Sequence, residues 1–368
     1  MQHFPPHEQR RRILISPLNW GLGHATRLIP VIDALNKQGH YCILAGESPS
    51  IDILKDAFPE LPSEALKGFN VKLSQSNRQW IKLLKQTNTL LRAIKKEQQQ
   101  TQVLIKKHRI DLIISDNRYG VYSKEVASVI ITHQTQPYLG SSLRFLRPLS
   151  RLITKRLLNQ FDECWIPDTK GHKTLSGSLS IPFKSLPTRH LGILSRLAIH
   201  QTATNPIQAA DVLIILSGPE PHRSQLEEIL LKKFMNINLT VVILKAQPRS
   251  KARKINNILL LPHCNSSNLK KLIYTSRYII CRSGYSTLMD LMHCGKKAIL
   301  IPTPGQFEQE YLAKRMVALF GFDTLTQNQL KKAPLQAFLT DQDSSCRSLQ
   351  FPPFTLPPLP LKQMPNSF

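Results

Sequence analysis

The sequence predicts an α/β protein made of two parallel-sheet units, each wrapped by helices, and three observations carry that expectation. Short runs rich in Ile, Leu and Val alternate with helical stretches from one end to the other, the pattern of strands buried on both faces of a parallel sheet. The alternation starts afresh after Gln201 to Gln208, a polar stretch containing Pro206 that reads as an interdomain linker. The chain has 368 residues, 41% of them hydrophobic, and domains usually hold about 100 to 200 residues, so two cores fit.

In the first half the expected strands are Ile13 to Ser16, Tyr41 to Ala45, Asp111 to Ser115, Val129 to Thr132 and Cys164 to Ile166. In the second they are Asp211 to Leu216, Leu239 to Leu244, Asn257 to Leu261, Tyr278 to Cys281 and Lys297 to Ile301. Residues 1–200 and 209–343 are the expected domains. From about Ser344 the tail carries six prolines, in segments such as Leu356-Pro357-Pro358-Leu359-Pro360, so residues 344–368 are expected to be disordered. The stretch Leu143 to Phe161 reads as an amphipathic helix. Leu146, Leu149, Ile153, Leu157 and Leu158 share an apolar face, and Arg144, Arg147, Arg151, Lys155 and Arg156 supply charge. Such a helix either packs on the sheet or lies on an anionic membrane.

The net charge of +25 calls for an anionic partner: phosphorylated small molecules, an acidic membrane surface or nucleic acid. No zinc finger, RRM signature or helix-turn-helix pattern supports nucleic acid. Six cysteines without C-x-x-C spacing, in or beside apolar runs, read as reduced thiols and give neither a disulfide framework nor a zinc site. Met1 to Arg12 lacks the apolar stretch of a signal peptide, and no run reaches the roughly 18 apolar residues of a membrane span. The expected location is the cytoplasm, with peripheral contact at the inner face of the membrane.

The first strand runs into Asn19-Trp20-Gly21-Leu22-Gly23-His24-Ala25-Thr26-Arg27, and apolar residues then continue a helix. Glycines there, Gly23 included, let backbone N–H groups approach a ligand at the helix N-terminus. The third glycine of a dinucleotide fingerprint is missing, which argues against NAD. His24 stands at the carboxyl edge of the strand as a candidate general base. In the second half a strand ends at Cys281-Arg282-Ser283-Gly284-Tyr285-Ser286-Thr287 and a helix continues through Asp290. Ser283, Gly284, Ser286 and Thr287 expose the first N–H groups of that helix, which suits a diphosphate. Asp290, one turn in, is placed to accept ribose hydroxyls. Gln306, Glu308, Gln309 and Glu310, at the end of the next strand, offer partners for sugar hydroxyls.

This segment resembles the C-terminal domain of glycosyltransferase family 28. The match lies at Ser286, Thr287 and Asp290 and at Pro302, Gln309 and Ala313. The family includes the transferase that adds N-acetylglucosamine to lipid-linked muramyl-pentapeptide. The resemblance implies a GT-B fold, two Rossmann-like domains facing a cleft, with the acceptor in the N-terminal half and a UDP-sugar in the C-terminal half. It also implies phosphate or nucleotide contact at Gly284, Ser286 and Thr287. Asp290 stands where the family has a ribose-binding glutamate, and Gln309 with Glu310 where a Gln-Gln pair meets the sugar. Gly21-Leu22-Gly23-His24 is similar to the glycine loop of the UDP-sugar hydrolase of pseudaminic acid biosynthesis, in which water replaces the acceptor. The expected activity is inverting, metal-independent hexosyl transfer without a cofactor. A UDP-sugar hydrolase and a non-catalytic nucleotide-sugar sensor are the alternatives.

Further candidates follow from position. Ser217-Gly218-Pro219-Glu220-Pro221-His222-Arg223 opens the second half, where Gly218 and Arg223 are candidate phosphate contacts. Asp116, Asn117, Arg118 and His133 follow strands in the first half and are candidate acceptor contacts. Asp341-Gln342-Asp343 has the D-x-D pattern of a metal-binding glycosyltransferase fold but follows no strand, so no metal is assigned. The remaining histidines, among them His190, His200, His222, His263 and His293, read as satisfied or solvated side chains.

Overall fold

The computed structural model describes residues 10–68, 87–140, 144–171, 173–199, 207–248, 250–339, 351–352 and 354–362. Most of the linker Gln201 to Gln208, the D-x-D residues Asp341 and Asp343, and Leu143 lie outside them, as does His200. The first half runs β1 Arg12–Pro17, α1 Leu22–Lys37, β2 Tyr41–Gly46, α2 Ser50–Ala57, β3 Ser63–Ala65, α3 Thr87–His108, β4 Leu112–Asp116, β5 Ala127–Ile131, α4 Arg147–Leu158, β6 Glu163–Ile166 and β7 Thr188–His190. Its sheet has the order β3-β2-β1-β4-β5-β6-β7 with every pair parallel.

The second half runs β8 Val212–Ile215, α5 His222–Phe234, β9 Val241–Leu244, β10 Arg253–Ile255, β11 Ile258–Leu261, α6 Ser266–Thr275, β12 Tyr278–Cys281, α7 Tyr285–His293, β13 Ile299–Leu300, α8 Phe307–Phe320, β14 Asp323–Thr324 and α9 Gln327–Lys332. Its order is β10-β11-β9-β8-β12-β13-β14, with β10 alone antiparallel.

Alternation of side chains along each central strand explains the unbroken apolar runs. Ile13 and Ile15 of β1 pack with Leu28 and Ile32 of α1 on one face, and Leu14 packs with Leu104 and Ile105 of α3 on the other. In β8, Val212 and Ile214 meet Leu226 and Leu230 of α5, whereas Leu213 faces Leu269 and Leu272 of α6. Each expected strand is present with boundaries shifted by a few residues. The sequence reading omits β3, β7, β10 and β14, which are the outermost strands of the two sheets. Covered on one side at most, they carry exposed or half-exposed residues and no apolar run.

In each sheet the first strand, β1 or β8, lies centrally and the order reverses beside it. Open α/β sheets bind ligands at the carboxyl ends of the strands flanking such a reversal.

Two expectations are corrected. Over its described residues the Pro-rich tail has no helix or strand, yet it packs on the body of the protein. Phe351 tilts against Phe320 of α8 at 5.7 Å, Thr355 donates to the Leu191 carbonyl at 3.3 Å, Leu359 is buried, and Lys362 pairs with Asp162 at 2.9 Å. Prolines favour extended backbone, and the interleaved Phe and Leu residues supply the apolar contacts that hold it. The apolar face expected of α4 is also rearranged. Leu158 is buried beside Phe161, whereas Phe145, Leu149, Leu152 and Ile153 are exposed by 69%, 50%, 45% and 43%. No described helix is long and apolar enough to cross a membrane.

Candidate active site

At the reversal in the first sheet, the parallel register sets Pro17 beside Asp116, so the turn into α1 lies against the end of β4. Gly21, with φ of +113°, allows that turn. One turn of helix then brings His24 and Arg27 over Asp116. The fully buried Asp116 carboxylate accepts from Nε and Nη2 of Arg27 and lies 2.8 Å from His24 Nδ1. Burial pushes the Asp116 carboxyl upward, but the Arg27 guanidinium and His24 outweigh it and hold the group below its usual range. His24 is lowered, first by burial and then by Arg27, against the opposing pull of Asp116. The His24 side chain keeps 17% exposure, and no described residue hydrogen-bonds its Nε2.

Asp116 is therefore not an acceptor contact: its oxygens are occupied and shielded. Arg118 leaves the cleft as well. It is 2% exposed and bonds Glu97 Oε1 at 2.8 Å, Ser16 Oγ at 3.0 Å and the Leu66 carbonyl at 3.0 Å. Asn117 adopts the left-handed conformation, φ +54°, with its amide donating to Ile131 and its side-chain oxygen buried without a partner among the described residues. His133, 4% exposed, bridges the two halves: Nδ1 is 3.2 Å from Arg27 Nη1, and Nε2 is 2.7 Å from Glu308 Oε1.

In the second sheet the ends of β8, β12 and β13 converge. A Cβ on Gly284 would lie 3.9 Å from Ser217 Oγ, and one on Gly218 would lie 3.6 Å from Thr303 Oγ1. Gly284 is the N-cap of α7 and no side chain caps it, so the first N–H groups of that helix stay available. Ser286 Oγ donates to the Gly23 carbonyl at 2.9 Å, and a Cβ on Gly23 would stand only 2.8 Å from that oxygen. The two strand-end crevices thus face each other.

Several expected donor contacts are otherwise engaged. Arg223 is buried and bonds Glu220 Oε1 at 2.7 Å, Glu227 Oε2 at 2.6 Å and Ser224 Oγ at 2.7 Å, so its charge is spent within its own helix start. Ser283 is fully buried and donates to the Gln309 carbonyl at 2.7 Å. Gln309 accepts from the Thr303 amide at 2.9 Å and donates to Gln306 Oε1 at 2.6 Å, and Glu310 accepts from the Gly305 amide at 3.2 Å. These three side chains brace the loop after β13. Asp290, 9% exposed, accepts from Ser195 Oγ at 2.6 Å, and burial raises it to about 6 against the opposing effects of Arg196 and Ser195. Glu308, read as a sugar contact, pairs with His133 instead.

Gly23, Gly218, Gly284, Ser286 and Thr287 remain at the crevice. The sequence reading missed Arg27, although its place one turn after His24 was a signal. Two buried groups beside the Gly218 loop have no partner among the described residues: Thr303 Oγ1, which the sequence reading did not single out, and both ring nitrogens of His222, which it expected to be satisfied or solvated.

Comparison with known proteins bears on this arrangement. Residues 251–350 match the glycosyltransferase family 28 C-terminal domain, and no curated protein matches the chain. Among solved structures, spinosyn rhamnosyltransferase SpnG is similar at 14% identity over 85% of this chain and 86% of that one, with a TM-score of 0.60. The glycosyltransferase of kitacinnamycin is 12% identical over 90% of each chain, TM-score 0.60. MurG of Acinetobacter baumannii is 14% identical over 88% and 89%, TM-score 0.50. SpnG has also been solved complexed with thymidine diphosphate. The chain has the GT-B fold of these glycosyltransferases, and the stretch similar to the glycosyltransferase family 28 C-terminal domain lies in its second half.

Proposed function

We propose that this protein transfers a hexose or N-acetylhexosamine from a UDP-sugar to an acceptor hydroxyl, with inversion at the anomeric carbon. Residues 1–200 serve the acceptor and residues 209–343 the donor. The observation that carries this reading is the approach of the α7 N-terminus, through Ser286, to Gly23, the neighbour of His24. In the proposed step the Nδ1–H of His24 donates to Asp116, which leaves a lone pair on Nε2. Nε2 takes the acceptor's hydroxyl proton while the oxygen forms its bond to the anomeric carbon. The bond from that carbon to the diphosphate oxygen breaks, and the charge on the departing diphosphate is met by the first N–H groups of α7, by Thr287 and by the amides around Gly218.

The depressed His24 keeps the imidazole neutral at pH 7, as a base requires. Thymidine diphosphate bound to the similar SpnG supports the donor class. The test is a thermal-shift screen of nucleoside diphosphates and their sugars, followed by release of nucleotide with and without hydroxyl acceptors. Stabilisation by none of them overturns the reading. Rapid release of free sugar without acceptor makes the protein a hydrolase, and binding without turnover makes it a sensor.

The acceptor side includes an anionic membrane surface. Phe145, Leu149, Leu152 and Ile153 stand exposed at and along α4, interleaved with Arg144, Arg147, Arg151, Lys155 and Arg156. Of these, Leu152, Arg147, Arg151 and Lys155 line a groove of about 1180 Å³ together with Ile181 and Lys184. Apolar side chains ringed by cations suit an anionic bilayer at the inner face of the membrane. Phosphatidylglycerol vesicles should sediment the protein in a salt-sensitive way and phosphatidylcholine vesicles should not; equal behaviour with both removes the membrane.

A further inference from the structure

The proton transfer above leaves two hydrogen-bonded partners without a role, Glu308 and His133. Glu308 stands in the first turn of α8, on the donor side, with Oε1 2.7 Å from His133 Nε2. The His133 ring lies flat on that of Tyr285 in α7, centroids 4.0 Å apart and planes 8° from parallel. Its Nδ1 is 3.2 Å from Arg27 Nη1. A guanidinium only donates, so His133 Nδ1 must accept, and the single proton of the neutral ring then sits on Nε2, facing the Glu308 carboxylate. The tautomer of His133 is determined from both ends.

His24 has no such certainty. Its Nδ1 lies 2.8 Å from Asp116 Oδ1 and 2.9 Å from Arg27 Nη2. These contacts ask opposite things of one atom in the neutral ring. With the proton on Nδ1 the ring donates to Asp116, and Nε2 is a base. With Nδ1 accepting from Arg27, the proton sits on Nε2, and that atom cannot take the acceptor's proton. The orientation of the Arg27 guanidinium decides between them, and Arg27 is held on one side by Asp116 and on the other by His133.

We propose that Glu308 and His133 are positioning residues that commit the Arg27 guanidinium hydrogens to His133 and Asp116 rather than to His24 Nδ1, 2.9 Å away, and so keep His24 in the tautomer that can act as a base. Glu308 and Tyr285 belong to the second half, whereas His133, Arg27 and His24 belong to the first. The base is therefore assembled from residues of both halves. The inference rests on the proposed base role of His24, but the tautomer is readable without turnover.

The experiment is two-bond ¹H–¹⁵N correlation NMR on the full chain labelled with ¹⁵N-histidine, near pH 8, with His24 and His133 assigned through His24→Gln and His133→Gln. In the wild type we expect Nδ1–H at His24 and Nε2–H at His133. Glu308→Ala should move His24 toward Nε2–H. Glu308→Gln, whose carboxamide oxygen still accepts from His133, should restore the wild-type pattern. His133→Leu gives the same test should Glu308→Ala fail to fold. Turnover should fall about 10- to 100-fold in Glu308→Ala, the usual worth of an outer-shell partner, with UDP affinity within about twofold, and Glu308→Gln should recover most of it. An unchanged His24 tautomer in both Glu308→Ala and His133→Leu overturns the inference whatever the protein's activity proves to be. If the tautomer shifts while no sugar is ever transferred, the proposed function fails and the positioning role stands.

Discussion

At the ends of β1, β4 and β5 the first half gathers His24, Arg27, Asp116 and His133 into one hydrogen-bonded cluster, whereas at the ends of β8, β12 and β13 the second half presents Ser217, Gly218, Gly284, Ser286, Thr287 and Thr303. The charges of the first crevice are buried and already paired, so none of them is spare for an anion. In the proposed step they orient the His24 ring that takes the proton. The second crevice is lined by backbone and small side chains, and in the proposed function its amides and the positive end of α7 would meet the diphosphate. Nor does the excess of basic residues reach this crevice directly. Arg223 is taken by Glu220 and Glu227, and the fully buried Arg282, lowered by burial to about 10, binds the carbonyls of Ile301, Pro302 and His222 and so ties three donor-side loops together.

If this division of labour holds, His24→Ala should lower turnover by about 100- to 10,000-fold and leave UDP affinity nearly unchanged. Steady-state kinetics beside calorimetric UDP titration checks it, and a parallel loss of affinity would mean that the first crevice also grips the donor. Asp116→Ala should cost about 3 to 5 kcal/mol of folding stability, because it leaves the Arg27 guanidinium buried without its carboxylate. Urea unfolding measures this; a loss below about 1 kcal/mol would show that the cluster hydrates readily.

Asp290 offers a contrast by pH. Its folded value near 6 exceeds an ordinary carboxyl of about 4, so the folded state binds its proton more tightly than the unfolded one does. The stability this confers is present below about pH 4 and is lost as pH rises to about 6, an amount on the order of 3 kcal/mol. Asp290→Asn should therefore gain stability relative to wild type across that window, read as the difference in melting temperature between pH 4 and 7. A constant difference would mean that Asp290 titrates normally. The smallest effect is expected at Thr287→Val, which should weaken UDP binding by about 1.5 to 3 kcal/mol, the worth of a hydrogen bond to a charged group. Unchanged binding would move the diphosphate away from α7.

Much of this architecture was legible in the sequence, and the residues that were not share a cause. Central strands are buried on both faces, so their residues must be apolar in unbroken runs, and a run of Ile, Leu and Val declares itself. The outer strands β3, β7, β10 and β14 pair along one edge only and place no such demand on side chains. The glycine turn before α1 and the small residues before α7 were legible for a related reason: close backbone approach excludes larger side chains, as the 2.8 Å approach at Gly23 illustrates.

By itself, then, the sequence determined the two parallel sheets, the helix N-termini that open at their strand ends, and the place of His24 at one of them. Only the tertiary structure decided which polar side chains near those ends stay free. Asp116, Arg118, Arg223, Ser283, Asp290 and Gln309 lie at strand ends or in the turns and helices that follow them, yet each is taken up by a hydrogen-bond partner, distant in the chain or close by in its own loop or helix. Position along the chain brings a polar group to the cleft. Burial obliges it to find a hydrogen-bond partner, and that partner comes from whichever element the fold packs against it.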